Sequence, residues 1–131
     1  MRVRDAMSTL VLTIGPEHTL REASRQMAAR KVGAVAVLDP DSHGIGILTE
    51  RDVLYALGAG QNPDVERAGA HLTTDLVFAS PDWTLDQAAE AMVRGGFRHL
   101  IVLDGNEVIG IVSVRDIVRV WSTARTAAAA G

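Results

Sequence analysis

Twice in this 131-residue chain a hydroxyl residue is followed three places later by an aspartate: Thr49-Glu50-Arg51-Asp52 and Ser113-Val114-Arg115-Asp116. A carboxylate accepts hydrogen bonds from two neighbouring hydroxyls at once, while a helix-start hydroxyl and the unpaired N–H groups of the first turn donate to anionic oxygens such as those of phosphate. The same spacing also has a plainer use, the capping box, in which two side chains and two backbone N–H groups satisfy one another. Thr19 with Glu22 and Thr84 with Gln87 read as boxes of that kind. For Asp52 and Asp116 the shorter aspartate is a poorer reciprocal cap than Glu or Gln, which favours binding. Arg98-His99 precedes an apolar run, and a guanidinium with an imidazole also suits an anion. Taken singly, Arg51, Arg98 and Arg115 read equally well as solvated surface side chains.

Other chemistries find less support. Cysteine is absent, so no disulfide, thiolate metal site or cysteine nucleophile is available. His18, His43, His71 and His99 are scattered without ligand-like spacing. Gly44-Ile45-Gly46 begins like a dinucleotide fingerprint, but it lies in a hairpin and Thr49 takes the place of the third glycine. No serine sits in a nucleophile elbow and no pair of acids is framed for hydrolysis, so an enzyme is the weakest expectation. The formal charge of −3, with both signs interspersed, gives nucleic acid little electrostatic purchase. No apolar run approaches the roughly 20 residues that cross a bilayer. Met1-Arg2-Val3-Arg4-Asp5 lacks a signal peptide's apolar core, so the expected location is cytoplasmic, away from membranes. With 47% apolar and 22% charged residues the composition is that of a folded domain.

The residues that could do chemistry sit at matching places in an internal repeat. Pro16-Glu17-His18-Thr19-Leu20 matches Pro81-Asp82-Trp83-Thr84-Leu85, and Val37-Leu38-Asp39 matches Val102-Leu103-Asp104. A shorter turn in the second copy then shifts the register, so that Gly46-Ile47-Leu48-Thr49-Glu50-Arg51-Asp52 meets Gly110-Ile111-Val112-Ser113-Val114-Arg115-Asp116. An insertion confined to a turn is what a true repeat shows.

Each copy reads as strand, helix, strand, strand, helix. Val11–Ile14 and Leu76–Ala79 run into Gly15-Pro16 and Ser80-Pro81, where proline stops the strand. The helices that follow carry Leu20, Ala23, Met27 and Leu85, Ala88, Met92 on one face and end at Gly33 and Gly95-Gly96. Hairpins then join Ala34–Leu38 to Gly46–Leu48 and Leu100–Leu103 to Val108–Val112. Thr49 and Ser113 open the second helices, whose expected apolar faces are Val53, Leu54, Leu57 and Ile117, Val118, Trp121. The boundaries are 1–60 for the first repeat, 61–67 for a linker, 68–122 for the second repeat and 123–131 for an alanine-rich tail. One copy alone buries too little surface to be secure, so an α/β fold of two pseudo-symmetric repeats packed sheet to sheet is expected, with clefts between them.

Each copy resembles the β-α-β-β-α motif of the cystathionine-β-synthase-type (CBS) family, and the pair resembles a Bateman module. The resemblance rests on the two Gly-to-Asp strings above and on Phe97-Arg98-His99-Leu100-Ile101-Val102-Leu103-Asp104, and covers nearly the whole chain. It implies a regulatory module that binds AMP, ADP, ATP or a related adenosyl ligand and associates as a homodimer. Thr49, Asp52, Ser113 and Asp116 are the implied ribose and phosphate residues, with Arg51 and Arg115 beside them and Arg98 and His99 at the phosphates. Val11, Leu12, Thr13 and Val77, Phe78, Ala79 would line the base. No cofactor is obligatory, and Mg²⁺ would enter only with a triphosphate. Gly33 and Ala34 stand where the second copy has Arg98 and His99, so one stronger site is expected; the resemblance implies that phosphates converge near the pseudo-twofold axis, which leaves Arg98 and His99 open to either cleft. With no effector domain in the sequence, the expected target is a protein partner in trans; the alternative is a scaffold with vestigial clefts.

Overall fold

The structure, a computed structural model, describes residues 1–130, with side chains described through Thr126. In chain order the elements are α1 (Val3–Ala6), β1 (Thr13–Ile14), α2 (Leu20–Arg30), β2 (Ala34–Leu38), β3 (Ile45–Thr49), α3 (Glu50–Gly58), a 3₁₀ turn (Ala68–Ala70), α4 (Leu85–Gly95), β4 (His99–Asp104), β5 (Glu107–Ser113) and α5 (Val114–Ala130). They form two compact units, Val11–Leu76 and Met1–Leu10 with the chain from Val77 onward.

In the unit Val11–Leu76, β1 runs parallel to β2, which pairs antiparallel with β3. Its core gathers Leu12, Ile14, Leu20, Ala23, Met27, Val35, Val37, Leu48, Val53, Ala56 and Ala68. In the other unit β4 and β5 are antiparallel, with a bulge at Val102/Leu103. The expected first strand of the second copy, Leu76–Ala79, contracts to a parallel bridge between Ala79 and Val102, formed by Ala79 N donating to Ile101 O at 2.9 Å and Leu103 N to Ala79 O at 3.0 Å. Gly105, with φ 62°, opens the tight β4–β5 turn in a conformation that glycine adopts without steric cost.

The units cut across the repeats. Val3, the first residue of α1, is fully buried in the core of the second copy, together with Ala6, Leu85, Ala88, Leu100 and Val112. Ala68, its counterpart, is fully buried in the core of the first copy. The backbone bonds repeat in parallel: Val3 N donates to Trp83 O and Ala68 N to His18 O, while Ser8 bridges Ile111 and Thr73 bridges Ile47. Each copy therefore receives on its sheet the entry segment that precedes the other.

Residues 61–67, expected to be a linker, are tied down. Pro63 and Glu66 offer carbonyls to Arg21 N and Leu20 N, satisfying two of the N–H groups that the start of α2 leaves unpaired. Thr19 Oγ1 takes a third, from Glu22 N at 3.1 Å. His71 Nε2 and Gln61 Nε2 both meet Glu66 Oε1, at 2.8 and 3.1 Å. Arg21 pairs with Asp64, and its hydrogen bond holds that carboxyl below the ordinary carboxylate range. A lowered folded-state pKa gives stability present above the unfolded pKa and lost as pH falls through the folded one. Because the pair is solvent-exposed, Asp64→Asn is expected to lower neutral-pH melting only slightly, and that small difference from the native chain should vanish as pH falls below the ordinary aspartate range.

Three local expectations are corrected. The end of α2 is set by Lys31, in the left-handed region at φ 56° and ψ 42°, rather than by Gly33; in α4, Gly96 at φ 70° takes that place as anticipated. The buried faces of the second helices are Val53 with Ala56 and Ile117 with Val120, an i, i+3 stripe. Leu54 is 64% exposed and Trp121 44%, and Leu57 and Val118 are also exposed. Side chains one residue past the stripe are turned about 100° away from the sheet, whatever their polarity.

Candidate functional site

The end of the first copy's sheet brings its predicted residues together through backbone register. Ala34, the first residue of β2, pairs with Thr49, the last of β3. Leu12 lies alongside, its carbonyl accepting from Ala36 N at 3.0 Å, and Glu50 N donates to Gly33 O at 2.9 Å as the chain turns into α3. Val11–Thr13, Gly33-Ala34 and Thr49–Asp52 therefore meet at one sheet end.

The second copy repeats the construction. His99 pairs with Ser113, Val114 N donates to Arg98 O at 2.9 Å, and Val77 and Phe78 lead into the bridge at Ala79. Arg98 and Arg115 are exposed, as is Arg51 in the first copy, while His99 is half-buried. Of the residues expected around a base, Leu12 and Ala79 belong to the hydrophobic cores. Val11 and Phe78 are half-buried, and Thr13 and Val77 are exposed.

The two aspartates cap their helices fully, which corrects the expectation that aspartate would do so poorly. Thr49 N and Oγ1 donate to Asp52 Oδ2 at 2.9 and 3.0 Å, and Asp52 N donates to Thr49 Oγ1 at 3.3 Å. In the second copy Ser113 N and Oγ donate to Asp116 Oδ2 at 2.8 and 2.9 Å, and Asp116 N donates to Ser113 Oγ at 3.1 Å. Thr49 is extended, at φ −112° and ψ 163°, which brings its N–H within reach of a side chain as short as aspartate's. Thr84 and Gln87 form the box expected of them, whereas Thr19 and Glu22 are described only by the forward bond.

Capping engages one oxygen of each carboxylate. For Asp52 every described bond falls on Oδ2. For Asp116 the other oxygen, Oδ1, meets Arg119 Nη2 at 3.4 Å, and the same nitrogen lies 3.3 Å from Ala6 O. Arg119 was not singled out from the sequence, although its i, i+3 spacing from Asp116 on a helix was the signal available. Its counterpart in the first copy is Tyr55. Among the described residues no group of three or more His, Asp or Glu side chains is placed to hold a metal, and no helix is long and apolar enough to cross a membrane.

Known proteins agree with this architecture. The model of the CBS domain matches residues 3–59 and 68–123. The CBS domain-containing protein YhcV of Bacillus subtilis is 34% identical over 121 residues, covering 88% of this chain and 81% of its own length. Among solved structures, the CBS-domain containing protein ATU1752 from Agrobacterium tumefaciens superposes with a TM-score of 0.81 at 33% identity, over 90% of this chain and 91% of that one. The CBS domain pair of protein MJ0100, solved in complex with 5′-methylthioadenosine and S-adenosyl-L-methionine, shares the fold at a TM-score of 0.85 and 22% identity, over 95% of this chain and 98% of its own.

Proposed function

This chain belongs to the CBS domain family, and on that premise we propose that it is a regulatory sensor of adenosyl ligands, non-catalytic itself, that signals ligand occupancy to a protein partner. The observation that carries the reading is the division of labour in each aspartate. Oδ2 completes the helix start, so the carboxylate is held in place with its second oxygen outside the cap: Asp52 Oδ1 carries no described bond, and Asp116 Oδ1 lies 3.4 Å from Arg119 Nη2. That is an arrangement suited to the two hydroxyls of a ribose. Val11–Thr13 and Val77–Ala79 flank the base, the first turns of α3 and α5 with Arg51 and Arg115 face the phosphate side, and Arg98 and His99 add donors in the second copy. AMP, ADP and ATP are the first ligands to try, and the adenosyl compounds bound by the MJ0100 pair extend the set. Mg²⁺ enters as the companion of a triphosphate. Switching then requires that the ligand bind two arrangements of the protein with different affinity.

Thermal-shift titration with AMP, ADP, ATP, S-adenosylmethionine, 5′-methylthioadenosine and NAD⁺, each with and without Mg²⁺, tests the reading. A saturable rise in melting temperature with an adenosyl ligand is expected, and no shift with any of them on folded protein would contradict it.

We also propose that the chain self-associates, as a homodimer, through the outward faces of the second helices. Leu54 and Leu57 on α3 and Val118 and Trp121 on α5 are large apolar side chains left exposed in their own units. Covering such surface is a driving force for association. Light scattering is expected to report a dimer for the native chain and a monomer for Leu54→Asp combined with Trp121→Glu; a native monomer, or a variant that remains dimeric, would refute it.

A further inference from the structure

One guanidinium in the second copy touches both a proposed ligand contact and the entry segment. Arg119 Nη2 lies 3.4 Å from Asp116 Oδ1 and 3.3 Å from Ala6 O. Ala6 ends α1, and its carbonyl is among those that a helix end leaves without an intrahelical partner, where arginine side chains are suited to donate. Asp116 Oδ2 is taken by Ser113 N and Oγ, so Arg119 meets the oxygen that the cap leaves over. The contact is longer than the roughly 2.7–2.9 Å of a tight charge-assisted bond, and a carboxylate oxygen has lone pairs for more than one donor. All three groups belong to one unit, in which Ile117 and Val120 of α5 share a core with Val3 and Ala6. The entry segment is seated there by Val3 N on Trp83 O, Arg4 N on Pro81 O and Ser8 N on Ile111 O, at 2.8, 3.1 and 2.9 Å. The first copy has no such bridge: Tyr55 stands at the matching position, 66% exposed, and Asp52 Oδ1 carries no described bond.

Resting on the adenosyl reading above, we propose that Arg119 is a positioning residue that links ligand binding at Asp116 to the seating of Met1–Leu10. The seated segment holds the guanidinium through Ala6 O, and the guanidinium holds Asp116 Oδ1 in one orientation for the ribose hydroxyls, whichever surfaces complete the ligand's cleft. Linkage runs both ways, so a ligand bound at Asp116 tightens the entry segment by the same factor by which the seated segment tightens the ligand. Met1–Leu10 is then the segment through which occupancy at Asp116 is read out.

Calorimetric titration and amide hydrogen exchange of the full chain and of Arg119→Met, each with AMP and with 5′-methylthioadenosine, test the link, and unliganded melting checks the fold of the variant. Both ligands carry the ribose diol, and only AMP carries a phosphate. Arg119→Met is expected to weaken both about fivefold or more and by similar factors, because the loss acts through Asp116. Arg119→Lys, which keeps a cation with several donors, should recover most of that loss. Saturating AMP should slow exchange at the Val3, Arg4 and Ser8 amides of the native chain about fivefold or more, and the slowing should disappear in Arg119→Met. Loss of AMP alone would make Arg119 a direct phosphate contact and overturn the proposal. Native affinity in Arg119→Met would also overturn it, as would entry-segment exchange that AMP slows equally in both proteins or in neither. A native chain that binds neither ligand would instead sink the adenosyl reading, and this link with it.

Discussion

Replacing Asp116 by asparagine is expected to weaken AMP binding about tenfold or more while leaving most of the unliganded stability, because a charge-assisted hydrogen bond of roughly 1.5–3 kcal/mol is lost. The side-chain oxygen of asparagine can still accept from Ser113 N and Oγ, as Oδ2 does at 2.8 and 2.9 Å. What it cannot do is offer a second acceptor, since an NH₂ takes that place. Asp116→Ala removes both functions, so it should lose AMP and, by leaving Ser113 N without its acceptor, also lower the unliganded stability by about 1 kcal/mol, the net worth of a hydrogen bond. Calorimetric titration and a ligand-free melt of both variants separate the roles. An asparagine variant that binds AMP like the native chain would clear Asp116 of contact with the ribose, leaving it a cap alone.

The second large effect is expected at Gly110, where a side chain would push the entry segment off the second copy's sheet. A Cβ built there would lie 2.8 Å from Ser8 O and 2.8 Å from Met7 Sδ, nearer than real contacts allow. Ser8 N donates to Ile111 O at 2.9 Å and Ile111 N to Ser8 O at 3.0 Å, so the backbone itself is in the way. Gly110→Val is expected to cost about 1–3 kcal/mol or more, with Met1–Leu10 becoming open to proteolysis. Gly46 is its counterpart, with Leu72 Cδ1 at 2.8 Å and Thr73 O at 3.1 Å. There the nearest atom is the end of a flexible side chain, and Gly46→Ala should be milder. A Gly110→Val protein with native melting and native protease resistance would show that the entry segment is not held as described.

These two glycines mark where sequence reasoning stopped short. Period and turns are legible because they are local, and the registered match of Thr49–Asp52 with Ser113–Asp116 reveals the repeat. The exchange of entry segments is a long-range fact, and Val3 and Ala68 carry no local sign of which sheet will bury them. The glycines before Ile47 and Ile111 look in the sequence like part of a local motif, yet in the structure Thr73 and Ser8 approach them closely.

Exposure was the other gap. Leu54 and Trp121 are apolar and stand on amphipathic helices, but Ala56 and Val120 are the residues that face their cores. Hydrophobic pattern weighs side-chain size and so passes over Ala56, but Val120 is the same residue type as the exposed Val118; a helix lying on a sheet buries whichever positions share one face. The linker misled in a similar way: glycine, amide and proline content reads as flexible, yet Pro63 and Glu66 supply carbonyls to the start of α2. At the two aspartates capping is a fact of the structure, and it engages one carboxylate oxygen of each.

Equilibrium dialysis of AMP and 5′-methylthioadenosine against the native chain and the Asp52→Asn, Asp116→Asn double variant tests the central claim most directly. The account expects saturable binding to the native protein and at least a tenfold loss of it in a double variant that still melts cooperatively. Undiminished binding by the double variant, or none by the native chain, would contradict it.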